Sequence, residues 1–290
     1  MENKRYLKKF TNESEYNSQK DEVMAIPHVV LLEDGKKIVY EPLPPKNEID
    51  YSKEYFTIEA LEDGNMSILW RVGDKLYYSI NNGEWIERTS HIELEVKTND
   101  KIRLKGNYRE NITPEFKCNV FGNIMSILFK DDFQDKTSLD GCDEAFDGLF
   151  SDWNIISAQN LILPATTLSD GCYYSMFYGC TSLVEAPQLP ATTLANYCYG
   201  EMFSYCTNLT TAPELLATTL ASNCYYSMFQ GCSKLNKITM LATDISASGC
   251  LSEWVNGVSS SGTFIKNENM TSLPNGINGI PEGWTVEEVA

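Results

Sequence analysis

The chain has 290 residues, a net charge of −17 at neutral pH and a sequence pI near 4.5. Such a balance excludes nucleic acid as a partner, because a polyanion calls for a basic face. No stretch of about 18 apolar residues occurs, so no membrane span is expected.

Composition shifts near residues 45 and 135, and the length allows about two domains. The opening MENKRYLKKFTNESEYNSQK is basic but lacks an apolar core, so it does not read as a secretory signal. The expectation is a protein that stays in the cytoplasm or leaves by another route, for instance in a phage particle released by lysis. A short helix through NESEYNSQ is expected after Thr11. A hairpin follows in HVVLLEDGKKIVY, where Glu33, Asp34, Gly35 and Lys36 have turn chemistry. EPLPPKN then reads as a stiff linker.

Residues 50–132 alternate apolar and polar positions in YFTIEAL, MSILW, KLYYSI, WIERT, IELEV, KIRLKG and NIMSILF. Asn81-Asn82-Gly83 is a hairpin signal. About seven short strands at close spacing predict a β-sandwich, Ig-like in outline. Trp70 and Trp85 could serve as sugar platforms, but sandwich core is the better reading.

An acidic run from Asp131 to Gly148 departs from the calcium-loop pattern and reads as a solvated linker and helix cap. Phe146 near its end and Leu149, Phe150 and Trp153 after it keep helical spacing, as an N-terminal cap would. Beyond it a 26-residue unit runs three times without a gap: Pro164 to Leu189, Pro190 to Leu215 and Leu216 to Leu241. Leu168, Cys172, Met176 and Cys180 fall at i, i+4, i+8 and i+12, with Phe177 beside them, and these columns recur in the other two copies. That stripe predicts one helix per unit, at Cys172–Cys180, Cys198–Cys206 and Cys224–Cys232. Ser169, Asn196 and Ser222 are the candidate N-caps. Pro187 and Pro213 force an extended second half. A helix and a short strand every 26 residues predict a leucine-rich-repeat horseshoe. A degenerate last unit, with Cys250, Trp254 and Val258 on the stripe, would close it.

Seven of the nine cysteines occupy two repeat columns. At helical rise Cys172 and Cys180 would lie about 12 Å apart, too far for a disulfide, and no C-x-x-C pair suggests zinc. They read as buried free thiols. His28 and His91, the two histidines, stand near no serine or cysteine motif. No cofactor or metal is expected.

The motif CYYSMFYGCTSL, echoed as CYGEMFSYCTNL and CYYSMFQGCSKL, resembles the BspA-type leucine-rich repeats. It departs from them in the Met before the Phe, the second Cys and the PATTL turn. The resemblance implies proteins of anaerobic gut bacteria, mostly at the cell surface or secreted. The region around YLKKF and PHVVLLEDGKKIVYEPL resembles a short module of phage- and prophage-encoded proteins, which implies a role in attachment or in a particle.

The expected fold is therefore multidomain, an all-β Ig-like sandwich followed by an α/β leucine-rich-repeat solenoid. Its boundaries are 1–48 for a small helix-hairpin module, 50–132 for the sandwich, 133–265 for the solenoid with caps and 266–290 for a C-terminal extension. The function expected is non-enzymatic binding, with the repeat surface meeting a protein or glycan ligand through Val184, Glu185, Gln188, Thr210, Thr211, Glu214, Asn236, Lys237 and Thr239. These positions vary while the core columns do not. The alternatives are a structural or assembly subunit of a phage particle or cell surface, and, further off, a carbohydrate-binding module of an enzyme.

Overall fold

A computed structural model describes residues 28–31, 37–40, 49–69, 75–88, 90–107, 112–270 and 273–289. The chain divides into two compact units, residues 1–50 and 51–290. In the first, β1 (His28–Leu31) pairs antiparallel with β2 (Lys37–Tyr40), from His28 opposite Tyr40 to Leu31 opposite Lys37. The helix expected after Thr11 and the tryptophan at position 70 lie outside the described residues.

In the second unit the alternation seen in sequence gives β3 (Thr57–Ala60), β4 (Gly64–Ile68), β5 (Lys75–Ile80), β6 (Ile86–Arg88), β7 (Ile92–Val96), β8 (Lys101–Asn107), β9 (Ile112–Pro114) and β10 (Cys118–Asn123). On β8, Ile102 and Leu104 are buried while Lys101, Arg103 and Lys105 take the other side, as a two-residue period requires. Asn81 and Asn82 both adopt positive φ, and Gly83 N donates to Ile80 O at 2.9 Å, which turns β5 into β6. One short helix, α1 (Ser126–Phe129), follows β10.

The Ig-like sandwich is not what these strands build. The large sheet runs β11-β10-β3-β8-β5-β6, where β11 is Ile155–Ser157, and β12 (Leu161–Ile162) also pairs with β10. β11 and β12 come from beyond residue 132 and lie parallel to β10, whereas an Ig-like sheet closes on antiparallel neighbours. The sheet thus crosses the expected boundary. Phe56 of the strand region stacks on Phe150 of the repeat region at 5.5 Å, inside one hydrophobic core. A second sheet has the order β7-β4-β9, and a third joins β13 (Lys237–Met240), β14 (Thr263–Asn267) and β15 (Thr285–Val289) in parallel.

The α/β leucine-rich-repeat solenoid is also contradicted. Residues 172–180, 198–206 and 224–232 form no helix; each is a staircase of turns. Left-handed residues recur at every fourth position: Gly171, Ser175 and Gly179, then Tyr197, Glu201 and Tyr205, then Asn223, Ser227 and Gly231. Backbone donors alternate in their partners. Tyr174 N donates to Gly171 O and Tyr178 N to Ser175 O within the repeat, while Tyr173 N donates to Cys198 O and Phe177 N to Met202 O in the next. Half of each staircase is therefore bonded across repeats, like a sheet, which an α-helix with its internal i to i−4 bonds cannot be. The stripe at i, i+4, i+8 and i+12 belongs to this four-residue step. A helix advances about 100° per residue, so residues four apart drift by about 40° and the ends of this stripe by about 120°.

The repeats stack in register on their apolar columns. Phe146, Tyr173, Tyr199, Tyr225 and Trp254 make one ring stack, and Phe150, Phe177, Phe203, Phe229 and Trp254 another, at centroid spacings from 5.2 to 6.4 Å. The segment from 266 onward packs on the last repeat: Trp254 Nε1 donates to Gly279 O at 2.9 Å and Trp284 Nε1 to Ser259 O at 2.7 Å.

Candidate functional site

All nine thiols are free, and all but the half-buried Cys142 are buried. Cys180, Cys206 and Cys232 donate through Sγ to the carbonyls of Phe150, Phe177 and Phe203 at 3.1, 3.1 and 2.9 Å. Burial pushes Cys118, Cys172, Cys224 and Cys232 up to about 12, so these remain neutral thiols and poor nucleophiles. Among the described residues, no group of three or more His, Cys, Asp or Glu is placed to hold a metal ion.

The positions expected to meet a ligand lie on one run of surface. Val184, Glu185, Gln188, Thr210, Thr211, Glu214, Asn236 and Lys237 are exposed, and Thr239 is half-buried. Parallel bridges align Ser157 with Glu185 and Thr211 with Lys237, and β13 continues to Thr263 of β14. Glu185 turns sideways here, accepting from Ser157 Oγ at 2.7 Å. The structure thus aligns the second copy's stretch with the third, while Glu185 of the first copy is aligned with Ser157 of the layer before it.

A pocket of about 430 Å³ lies elsewhere, where the acidic run meets the first two repeats. Its walls are Asp143, Glu144, Asp147, Asp170, Gly171, Tyr174, Asn196 and Tyr197. The staircase positions each of them. Gly171 and Tyr197, both with positive φ, are the turn corners of successive repeats. Asp170 accepts from Asn196 N at 3.0 Å and from Asn196 Nδ2 at 3.2 Å, tying the two layers together. Tyr174 lies against Gly200, where an added Cβ would come within 2.8 Å of its ring. Its hydroxyl donates to Glu201 Oε1 at 2.7 Å. Tyr174 meets Tyr197 edge-on at 6.2 Å, and Tyr197 meets Tyr226 likewise at 6.1 Å, so a tyrosine row crosses three repeats.

The pocket is electrostatically loaded. Partial desolvation, then the charges of Glu144 and Glu201, raise the Asp147 carboxyl above its ordinary value. Tyr174 is raised as well, by burial first and then by the bond to Glu201. Carboxylates beside phenol rings can accept hydrogen bonds from hydroxyl or ammonium groups while the rings cover C–H surface. No family model, curated protein or solved structure matches the chain.

Reading the acidic run as solvated cap passed over its part in this pocket. The missed signal is the surplus of tyrosine. Tyr173, Tyr199 and Tyr225 are buried core, but Tyr174, Tyr178, Tyr197, Tyr205 and Tyr226 stand outside it. Trp85 is neither core nor open platform: it is partly exposed, with Arg103 5.1 Å and Lys105 4.4 Å from its ring centre. No helix among the described residues is long and apolar enough to cross a membrane.

Proposed function

We propose that this chain is a non-enzymatic binding protein whose stacked repeats present their surface to a glycan or protein ligand. The observation that carries this reading is the pocket shared by the acidic cap and two successive repeats, with the tyrosine row running out of it across a third. One ligand can touch several layers there, and the spread of contacts suits a surface that needs about 800 Å² per partner. The exposed row from Glu185 through Thr211 to Lys237 supplies a second stretch of variable side chains on the same stack.

The test is a panel of immobilised glycans and purified proteins probed with the full chain. The double substitution Tyr174→Ala with Tyr197→Ala should abolish capture of a panel member, with the fold retained because both side chains stand outside the core. A triple charge or size reversal at Glu185, Thr211 and Lys237 identifies the row as the contact if it is the one that abolishes capture. If neither set changes capture, the repeats are not the binding surface and the proposal fails.

A further inference from the structure

Between Lys136 and Lys234 the sequence holds no Lys, Arg or His, while Asp and Glu recur throughout. The stretch covers the cap and most of the repeat stack, so its side chains carry negative charge alone. Tyrosines stand among these acids. Tyr197 and Tyr205 are 43% and 42% exposed, and Tyr205 meets Tyr178 edge-on at 5.5 Å. Glycines let the rings lie against the next layer: Tyr205 covers Gly231 as Tyr174 covers Gly200. Unlike Trp85, these rings have no Lys or Arg over them among the described residues. Open tyrosine surface of this kind is what protein interfaces favour.

The carboxylates at the pocket are of two kinds. Asp170 is held by Asn196, and Glu201 accepts from the Tyr174 hydroxyl at 2.7 Å and from Ser175 Oγ at 3.4 Å, so both join one layer to the next. Glu144 and Asp147 are exposed in its wall and, among the described residues, make no side-chain hydrogen bond or ion pair. Desolvation, then the charges of Glu144 and Glu201, raise the Asp147 carboxyl, so these groups feel one another's repulsion. No described cation offsets it. A cation brought in from outside would.

We propose that this surface docks a basic segment of a partner protein, one lysine or arginine side chain entering the pocket with its charge at Glu144 and Asp147 and its stem along Tyr174 and Tyr197. The inference rests on the binding role proposed for the repeats and names the chemistry of the partner. Charge complementarity selects the occupant. A neutral glycan uses the rings but leaves the repulsion between the carboxylates in place, and an acidic glycan adds to it. A basic side chain relieves that repulsion, lays its methylenes on the rings and sets its cation near their faces. The cavity of about 430 Å³ has room for one such side chain, and the tyrosines of later layers remain for the residues flanking it. The net charge of −17 draws a basic partner in from a distance.

The experiment titrates the full chain into a fluorescent Gly-Ser peptide bearing several lysines and reads anisotropy. The same peptide acetylated on every lysine keeps the stems and loses the charge; spermine and a chitosan oligomer of matched charge compete as cations without a peptide. The lysine peptide should bind, less tightly as salt rises, and its acetylated form should not. Glu144→Gln with Asp147→Asn should weaken it about tenfold or more, as losing charge-assisted bonds does. Tyr174→Ala with Tyr197→Ala should weaken it several-fold. Glu268→Gln with Glu282→Gln removes the same charge from exposed positions on the segment that packs on the last repeat, and should change it by about twofold or less. Near-ultraviolet circular dichroism of each variant shows that the fold persists. No binding of the lysine peptide, equal binding of the acetylated form, an equal effect of the distant pair, or tighter binding of spermine or chitosan would each overturn the proposal. If the lysine peptide fails while the tyrosine pair still abolishes capture of a panel member, only this inference falls and the repeats remain a binding surface.

Discussion

Truncating Phe203 to alanine probes the stack at its middle. The ring is fully buried and lies nearly parallel to its neighbours, 5.4 Å from Phe177 at 12° and 5.8 Å from Phe229 at 5°. Phe→Ala in a core costs about 3–5 kcal/mol, and the site's ability to collapse decides where in that range it falls. Collapse is restricted here, because Phe177 N is bonded to Met202 O at 2.8 Å and Phe203 N to Met228 O at 3.0 Å, which pins the layers on either side. The upper half of the range is therefore expected, of which each lost stacking pair supplies about 0.5–1.5 kcal/mol. Against a total stability of about 5–15 kcal/mol this is a large fraction. Urea unfolding of the full chain, followed by circular dichroism and fluorescence, measures it, and hydrogen exchange shows whether protection falls first in residues 172–232. Phe203→Leu, which keeps most of the volume, should recover more than half of the loss. A cost under about 1 kcal/mol for the alanine variant would mean that the layers are not held by this column.

Counting thiols in denaturant should give the same number with and without reductant, and thiol reagents should be slow on the native protein; a gain on reduction would show disulfides. Gly231→Ala combines a φ of +72° with a ring atom of Tyr205 at 2.6 Å from the new Cβ, and should cost about 1–2 kcal/mol in thermal or urea unfolding. Gly200→Ala meets the ring of Tyr174 at 2.8 Å and Tyr197 O only at an ordinary 3.4 Å, with no positive φ, so it should cost less while displacing that ring; its release from Glu201 can be followed by the tyrosine hydroxyl's NMR signal. The Asp147 carboxyl has a raised folded value, so its contribution to stability is complete when protonated at low pH and is lost as pH rises through that value. Asp147→Asn should then be more stable than the native protein at neutral pH, with the gap closing on acidification; a constant gap would refute the assignment.

The strands from Thr57 to Asn123 were legible because a half-buried sheet imposes a two-residue period, visible in Lys101, Ile102, Arg103, Leu104 and Lys105. The repeat boundaries and buried columns were equally plain. What misled was the stripe at Leu168, Cys172, Met176 and Cys180. Four-residue spacing is shared by a helix over a short span and by turns that close every fourth residue. A helix must mix steps of three and four to stay on one face, and this stripe never takes a step of three. Gly171, Gly179 and Asn223 were a further sign, since residues that accept positive φ sit at the corners. The junction with β11 and β12 was beyond reach, because parallel pairing of strands this short leaves no periodic mark. The pocket was hidden for another reason: its walls come from three segments, Asp143 to Asp147, Asp170 to Tyr174 and Asn196 to Tyr197.

The turn staircase also determines where this protein can change length. From Asn223 N bonding Ser248 O to Gly231 N bonding Asn256 O, donor and acceptor keep one constant offset, and the two staircases before them hold that same offset. Outside the steps it drifts: Thr211 bridges Lys237, but Leu215 bridges Met240, one residue closer, and the difference is restored between Asp244 and Ser248. A residue added inside a staircase would move every later corner off its left-handed position and strand the donors meant for the next layer. One added between Asp244 and Ser248 is absorbed in an exposed bend. Growth and shrinkage are thereby channelled into the connections, so the outline of each layer is free to diverge while the spacing that joins the layers is not.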